Sequence, residues 1–140
     1  MEPSKIFLHG TGFMYIADTK HHRIQKMVLG DNGPFSYITV ANVSHEGGLD
    51  LSYLNWSMDV VVDSNEYMYI ADYNNHRVVP WTLNSTAGEC IAAGAVISRK
   101  KSDALSHPTS IQFDRKVLFM SVIWGRSSTK VRNCPVFVRI

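Results

Sequence analysis

Two short stretches gather the side chains that could do chemistry. In "YIADYNNHRV" (Tyr69 to Val78), Asp72, Asn74, Asn75, His76 and Arg77 follow a strand-like apolar run. A carboxylate, an imidazole and a guanidinium this close together could form an acid/base pair or part of a metal-ligand set. In "YIADTKHHRI" (Tyr15 to Ile24), Asp18, His22 and Arg23 stand 54 residues earlier, in the same register and without a gap. A catalytic constellation is normally unique in a domain, whereas self-similarity at a fixed period marks a repeat architecture. The duplication therefore favours a structural role for both trios. On that reading Asp72 accepts bonds from amides of the turn, and Arg77 donates to a nearby carboxylate or carbonyl, with Asp18 and Arg23 doing the same in the other copy.

The flanking residues show what positions these groups. "DVVVD" (Asp59 to Asp63) reads as an apolar strand covered on both faces, "SNE" as a turn, and "YMYIA" (Tyr67 to Ala71) as the returning arm of a hairpin. "DYNN" is a second turn, "HRVVPW" (His76 to Trp81) a third strand and "ECIAAG" (Glu89 to Gly94) a fourth. Pro80 lacks a backbone donor and should sit at a strand end or on an unpaired side. Upstream, "IFLHGTGF" (Ile6 to Phe13) overlays "VVVDSNEY" (Val60 to Tyr67) in apolar pattern. A third, worn copy starts at "PTSIQFDRKVLFMSV" (Pro108 to Val122). It sets Ile111 and Phe113 where Val60 and Val62 stand, and Asp114 where Asp63 stands. A one-residue deletion before Phe119 then puts Ser121 and Val122 in place of the Ala-Asp pair, and only Lys130 and Val131 remain of the basic end. No amphipathic helix of useful length is visible. Four short strands in about 50 residues is the layout of a propeller blade.

Composition narrows the function classes. Of 140 residues, 45% are apolar and 19% charged, a globular balance, and the net charge is only +2. The one dense basic run, Arg99 to Lys101, is too short to argue for RNA or DNA. No apolar run reaches the ~18 residues of a membrane span. The start, "MEPSKIFLHGTGF", lacks a basic segment followed by a sustained apolar one, so no signal peptide is expected. Three N-x-[ST] sequons, at Asn42, Asn55 and Asn84, nonetheless point to an extracellular parent protein. Cys90 and Cys134 have no metal-ligand spacing and read as small buried apolar groups, with a disulfide open to them only in an oxidising compartment. Asp63 and Asp114 read as turn-initiating residues. Tyr15, Tyr69, Trp56 and Trp81 read as packing between repeats. His9, His45 and His107 stand apart and suggest no ligand set, and no nucleophile with a base or Gly-rich phosphate loop is present.

The apolar strand ending in Asp, the "YIAD", the "NNHRV" and the closing "AGECIAAG" together resemble the NHL repeat, the blade unit of a family of β-propellers. The resemblance is closest in "VVVDSNEYMYIADYNNHRVVPW" and runs from residue 6 to about 122. It implies an all-β fold, an incomplete propeller of about 2.5 to 3 four-stranded antiparallel blades. Blade one would span about 6–52, blade two about 58–104 and a degenerate blade three about 108–140. Such an arc does not close, so the chain reads as a fragment of a larger propeller, with open blade edges that favour self-association. The family implies a non-enzymatic interaction or scaffold module with a protein partner, no cofactor and no metal. Two alternatives are a fragment of a propeller enzyme of the peptide-amidating lyase type and the substrate-binding end of a RING/B-box ubiquitin ligase. No catalytic set maps onto this chain for the first, and the Cys and His ligands of RING and B-box domains are absent for the second.

Overall fold

A computed structural model describes residues 2–28, 35–89, 92–93, 106–113, 120–124 and 127–131. Its strands are β1 (Pro3–Leu8), β2 (Met14–Asp18), β3 (Arg23–Val28), β4 (Ser36–Ala41), β5 (Ser57–Val62), β6 (Met68–Asp72), β7 (Arg77–Trp81), β8 (Ala92–Ala93), β9 (Pro108–Phe113), β10 (Met120–Trp124) and β11 (Ser127–Val131). They form three antiparallel sheets, ordered β1-β2-β3-β4, β5-β6-β7-β8 and β9-β10-β11. Only two single-turn 3-10 segments, Thr19–His21 and Tyr73–Asn75, interrupt the β-structure among the described residues. No described helix is long and apolar enough to cross a membrane.

The repeat of the sequence reappears as backbone geometry, at an offset of 54 residues from Pro3 to Ser57 and of 51 from Ser57 to Pro108. Each sheet carries a bulge one residue into its first strand: Pro3 and Lys5 pair with Asp18 and Ala17, Ser57 and Asp59 with Asp72 and Ala71, and Pro108 and Ser110 with Trp124 and Ile123. Ser4, Met58 and Thr109 are the extra residues, and a bulge there sharpens the local twist. The first hairpins also match, because Gly12 (φ 90°) and Glu66 (φ 63°) occupy equivalent left-handed positions. A side chain in that region is strained, and the Asp63 carboxylate offsets the strain at Glu66 by accepting the amides of Asn65 (2.8 Å) and Tyr67 (3.0 Å).

Two sequence expectations about elements shift. His76 does not begin the third strand; it closes the 3-10 turn in a left-handed conformation (φ 52°), as His22 does (φ 54°). The third sheet is also registered differently from the sequence alignment. Trp124, rather than Val122, stands opposite Pro108 as Asp72 stands opposite Ser57, and Ser127 follows after two residues where Arg77 follows after four. Backbone pairing thus persists in the third sheet, while neither Asp nor Arg of the motif stands at its position. The fourth strand of the second sheet is described at Ala92–Ala93, within the expected Glu89 to Gly94. Cys90, Cys134, Asp114 and the basic run at 99–101 lie outside the described residues.

The core sits between the first and second sheets. Tyr15, Ala17, Ile24 and Val40 meet Val60, Val62, Met68, Ile70, Val79 and Trp81 in one buried cluster. Each large side chain removed from water there contributes roughly 1.5–3 kcal/mol. The alternation of strand side chains explains the split, since Tyr15, Ala17 and their cross-strand neighbours Lys26 and Ile24 face one way while Ile16 and Gln25 face the other. Tyr69 continues the pattern across the next seam, meeting Phe113 edge-to-face at 5.5 Å. The first strands lie side by side, β1 against β5 and β5 against β9. Their equivalent positions touch, as Asp59 Oδ2 accepts Ser110 Oγ and Ile111 N at 2.9 Å and faces Lys5 Nζ at 3.6 Å.

Candidate functional site

Both motif trios lie at the end of the sheets where the second strand turns into the third. Asp18 and Asp72 are fully buried, and each closes its own turn by pairing with the arginine that starts the next strand. Arg23 Nε donates to Asp18 Oδ2 at 2.9 Å, and Arg77 Nε to Asp72 Oδ2 at 2.6 Å. The backbone donor to each carboxylate comes from ahead of the sheet's first strand rather than from the turn itself: Glu2 N reaches Asp18 at 2.9 Å and Asn55 N reaches Asp72 at 2.6 Å. His21 Nδ1 completes the shell of Asp18, and Asn75 Nδ2 that of Asp72.

The two carboxyls titrate in opposite directions. Burial pushes Asp18 up, but His21, the Glu2 amide and Arg23 outweigh it and hold the group below the usual carboxylate range. At Asp72, burial dominates and raises the group, against the pull of the Asn55 amide, Asn75 and Arg77.

The histidines act across the seams. Trp56 N donates to His22 Nδ1 at 3.0 Å, and His107 N donates to His76 Nδ1 at 3.1 Å. Each motif imidazole therefore accepts, through an unprotonated Nδ1, the amide of the residue that enters the next sheet. His107 also packs edge-on against His76 at 4.2 Å. His9 and His45 likewise have partners: His9 Nε2 donates to Asp63 O (3.0 Å), and His45 Nε2 faces Arg23 Nη1 (3.2 Å). Among the described residues no three His, Cys, Asp or Glu are placed to hold a metal.

The remaining donors of Arg77 reach a loop that the sequence did not single out, residues 42–56 between β4 and β5. Nη1 donates to Leu49 O at 2.6 Å, and Nη2 to Asp50 O and Tyr53 O at 2.9 Å. Asn75 Nδ2 adds Gly48 O at 2.7 Å. Asn42, left-handed at φ 55°, ties the front of the loop by donating to His22 O (2.7 Å) and Glu46 O (2.8 Å). Gly48 fits where a side chain would not, because a Cβ there would lie 2.7 Å from the Tyr53 ring. On this clamped backbone Val43 (74% exposed), Leu49 (79%), Leu51 and Trp56 (43%) point apolar surface at solvent. Trp56 is thus not seam packing, in contrast to the buried Tyr15, Tyr69 and Trp81. No local pattern marks this loop, because the Arg77 and Asn75 clamps on it join residues 24 to 28 apart in the chain.

The opposite end of the first two sheets holds a smaller polar cluster. Lys26 lies over the Phe13 ring at 3.9 Å and pairs with Glu66 at 3.3 Å. Tyr69 Oη donates to Asp63 Oδ2 at 3.3 Å, but the equivalent Tyr15 has His9 where Asp63 would stand, and its hydroxyl is buried without a partner. Burial accordingly raises the Tyr15 phenol, with Lys26 opposing. Of the three sequons, Asn42 is buried with its Nδ2 committed twice, Asn55 accepts from Asn74 (3.0 Å), and Asn84 is exposed.

No family model matches this chain, and no curated protein matches it either. Among solved structures it is similar to an auxiliary nutrient binding protein from Bacteroides thetaiotaomicron VPI-5482, with TM-score 0.66 and 16% identity over 84% of this chain and 33% of that one. It is also similar to an auxiliary nutrient binding protein from Bacteroides ovatus ATCC 8483, with TM-score 0.65 and 24% identity over the same shares. The chain spans about a third of the length of these structures, and at such identities the likeness is one of all-β fold.

Proposed function

We infer that this chain is a non-enzymatic binding module whose three sheets are NHL-type blades of an incomplete propeller, with the divisions at about 6–52, 58–104 and 108–140. The side-by-side first strands and the equivalent bulges support the blade reading. The observation that carries the binding role is the 42–56 loop, in which exposed Val43, Leu49, Leu51 and Trp56 ride on a backbone fixed by Arg77, Asn75 and Asn42. Exposed apolar groups on a rigid loop offer contact area with little ordering cost on binding. The described carboxylates, imidazoles and guanidinia of the motif are meanwhile engaged in holding turns and seams. The likeness to nutrient-binding proteins supports a binding role without naming a ligand.

The test is selection of a displayed peptide library on the purified chain. The reading predicts apolar-rich peptides whose binding is lost in Leu49→Ser at unchanged melting temperature. Peptides indifferent to Leu49→Ser and Trp56→Ser would overturn it. Stoichiometric zinc or calcium, together with turnover in a peptide-amidating lyase assay, would establish the enzymatic alternative instead.

A further inference from the structure

The 42–56 loop is held by two kinds of bond. Along its middle, Arg77 and Asn75 donate to the carbonyls of Gly48, Leu49, Asp50 and Tyr53. Those donors keep their hydrogens in neutral and mildly acidic water. Toward its ends, imidazole nitrogens accept instead. The Trp56 amide donates to His22 Nδ1 at 3.0 Å, and Arg23 Nη1 donates to His45 Nε2 at 3.2 Å. Neither an amide N–H nor a guanidinium can accept, so both ring nitrogens are unprotonated in this arrangement. His22 also accepts Asn42 Nδ2 on its carbonyl at 2.7 Å, and its Cε1 lies against Gly47, where a Cβ would be 3.5 Å away. This one half-buried residue therefore meets the loop at residues 42, 47 and 56.

We propose that protonation of His22, together with His45, releases the ends of this loop and leaves its middle clamped, so that the exposed apolar surface comes apart as pH falls. Histidine is the side chain whose charge ordinarily changes between about pH 5 and 8. A proton on His22 Nδ1 turns an acceptor into a donor aimed at another donor, and a proton on His45 Nε2 sets two cations 3.2 Å apart. His21 behaves oppositely, since its Nδ1 donates to Asp18 and protonation preserves that bond. No carboxylate stands ready to hold the new charges. Asp18 is taken by His21, Arg23 and the Glu2 amide, Asp72 by Arg77, Asn75 and the Asn55 amide, and Glu2 by Lys20. Glu46 and Asp50, the carboxylates of the loop, form no ion pair with either imidazole among the described residues. The closed loop thus binds fewer protons than the open one, and closure weakens as pH falls. Val43 and Trp56 ride on the ends, Leu49 and Leu51 on the middle, so acid separates surfaces that neutral pH holds together. The consequence for binding rests on the role of the loop given above; the release of its ends does not.

Amide exchange followed by NMR at about pH 7.5 and about pH 5.5, expressed as protection relative to the free-peptide rate at each pH, tests it. Protection at Trp56 should fall about tenfold in acid, the equivalent of one hydrogen bond. Protection at Tyr53, whose amide donates to Asp50 O beside the Arg77 clamp, should hold, at unchanged circular dichroism. His22→Asn offers an oxygen acceptor that does not take a proton, on a left-handed backbone that Asn tolerates, and His22→Phe offers none. Each should abolish the pH response at Trp56. Constant protection at Trp56 in the unmodified chain, an acid loss that persists in either variant, or a parallel loss at Tyr53 would overturn the proposal. Peptides selected at neutral pH should lose affinity in acid for the unmodified chain and not for His22→Asn. A loop whose ends open in acid but which selects no peptide defeats the binding role alone, whereas peptides bound equally at both pH values to a loop that stays protected defeat the proposal alone.

Discussion

Replacement of Arg77 by Lys separates a clamp from a mere positive charge. The guanidinium makes four bonds at once: Nε to Asp72, Nη1 to Leu49 O, and Nη2 to Asp50 O and Tyr53 O. A lysine ammonium is a single point on a narrower stem, so it can neutralise Asp72 or reach the loop carbonyls, but not both. Removing one partner of a buried pair costs about 3–5 kcal/mol, and retention of charge brings Arg77→Lys to about 3 kcal/mol. For a domain of this size that lowers the melting midpoint by about 10 °C. The matched control is Arg23→Lys. Arg23 has one buried carboxylate and one exposed imidazole as partners and no loop carbonyls, so a lysine there can keep its charge beside Asp18 and the loss should be smaller, about 1 kcal/mol. Urea and thermal unfolding of both variants, followed by circular dichroism, give the comparison. Equal losses in the two variants, or a loss under 1 kcal/mol at Arg77, would refute the assignment of the loop clamp to Arg77.

Further consequences follow from individual residues. Asp18 is held low in the folded state, so its contribution is fully present above the ordinary carboxylate range and is lost as pH falls through the lowered value; Asp18→Asn should flatten the acid limb of stability. Asp72 is raised, so its linkage runs oppositely and stability falls as pH rises through the raised value; Asp72→Asn should remove that fall, and denaturant midpoints across the acid range measure both. Gly48→Ala should destabilise the 42–56 loop by about 1–3 kcal/mol through collision with Tyr53, and weaken peptide binding with it. When the chain is secreted from a eukaryotic host, the folded product should carry glycan at Asn84 and none at Asn42, whose amide is buried and doubly bonded; intact mass before and after deglycosylation of wild type and Asn84→Gln checks this.

The sequence foretold local periodicity well and long-range partnership poorly. The apolar run at Val60 to Val62, the returning Tyr67 to Ala71 arm and the Asp63 turn were legible because alternation and turn chemistry are written in adjacent residues. The 54-residue spacing showed that the Asp, His and Arg positions are paired across copies, but not what each side chain touches. His22 reaches an amide 34 residues away, and His76 one 31 residues away, distances no local pattern encodes. The 42–56 loop was missed because its order comes from Arg77 and Asn75, while its own residues read as an ordinary connection. In the third sheet, loss of the Asp and Arg obscured the register that backbone pairing retains, with Trp124 at the Asp position. Trp56 reads as packing in the sequence yet is 43% exposed, because aromatic character alone does not distinguish a seam from an exposed loop end.

The repeated histidines join consecutive sheets, each imidazole accepting the amide that leads into the next first strand. Amide hydrogen exchange followed by NMR at Trp56 and His107 tests this joining most directly, since both amides lie ahead of a first strand and each donates to a motif imidazole. Both should be slowed well below their free-peptide rates near neutral pH, and His22→Phe and His76→Phe should each release only the amide across its own seam. Exchange at the free-peptide rate in the unmodified chain, or protection that survives both substitutions, would contradict the account.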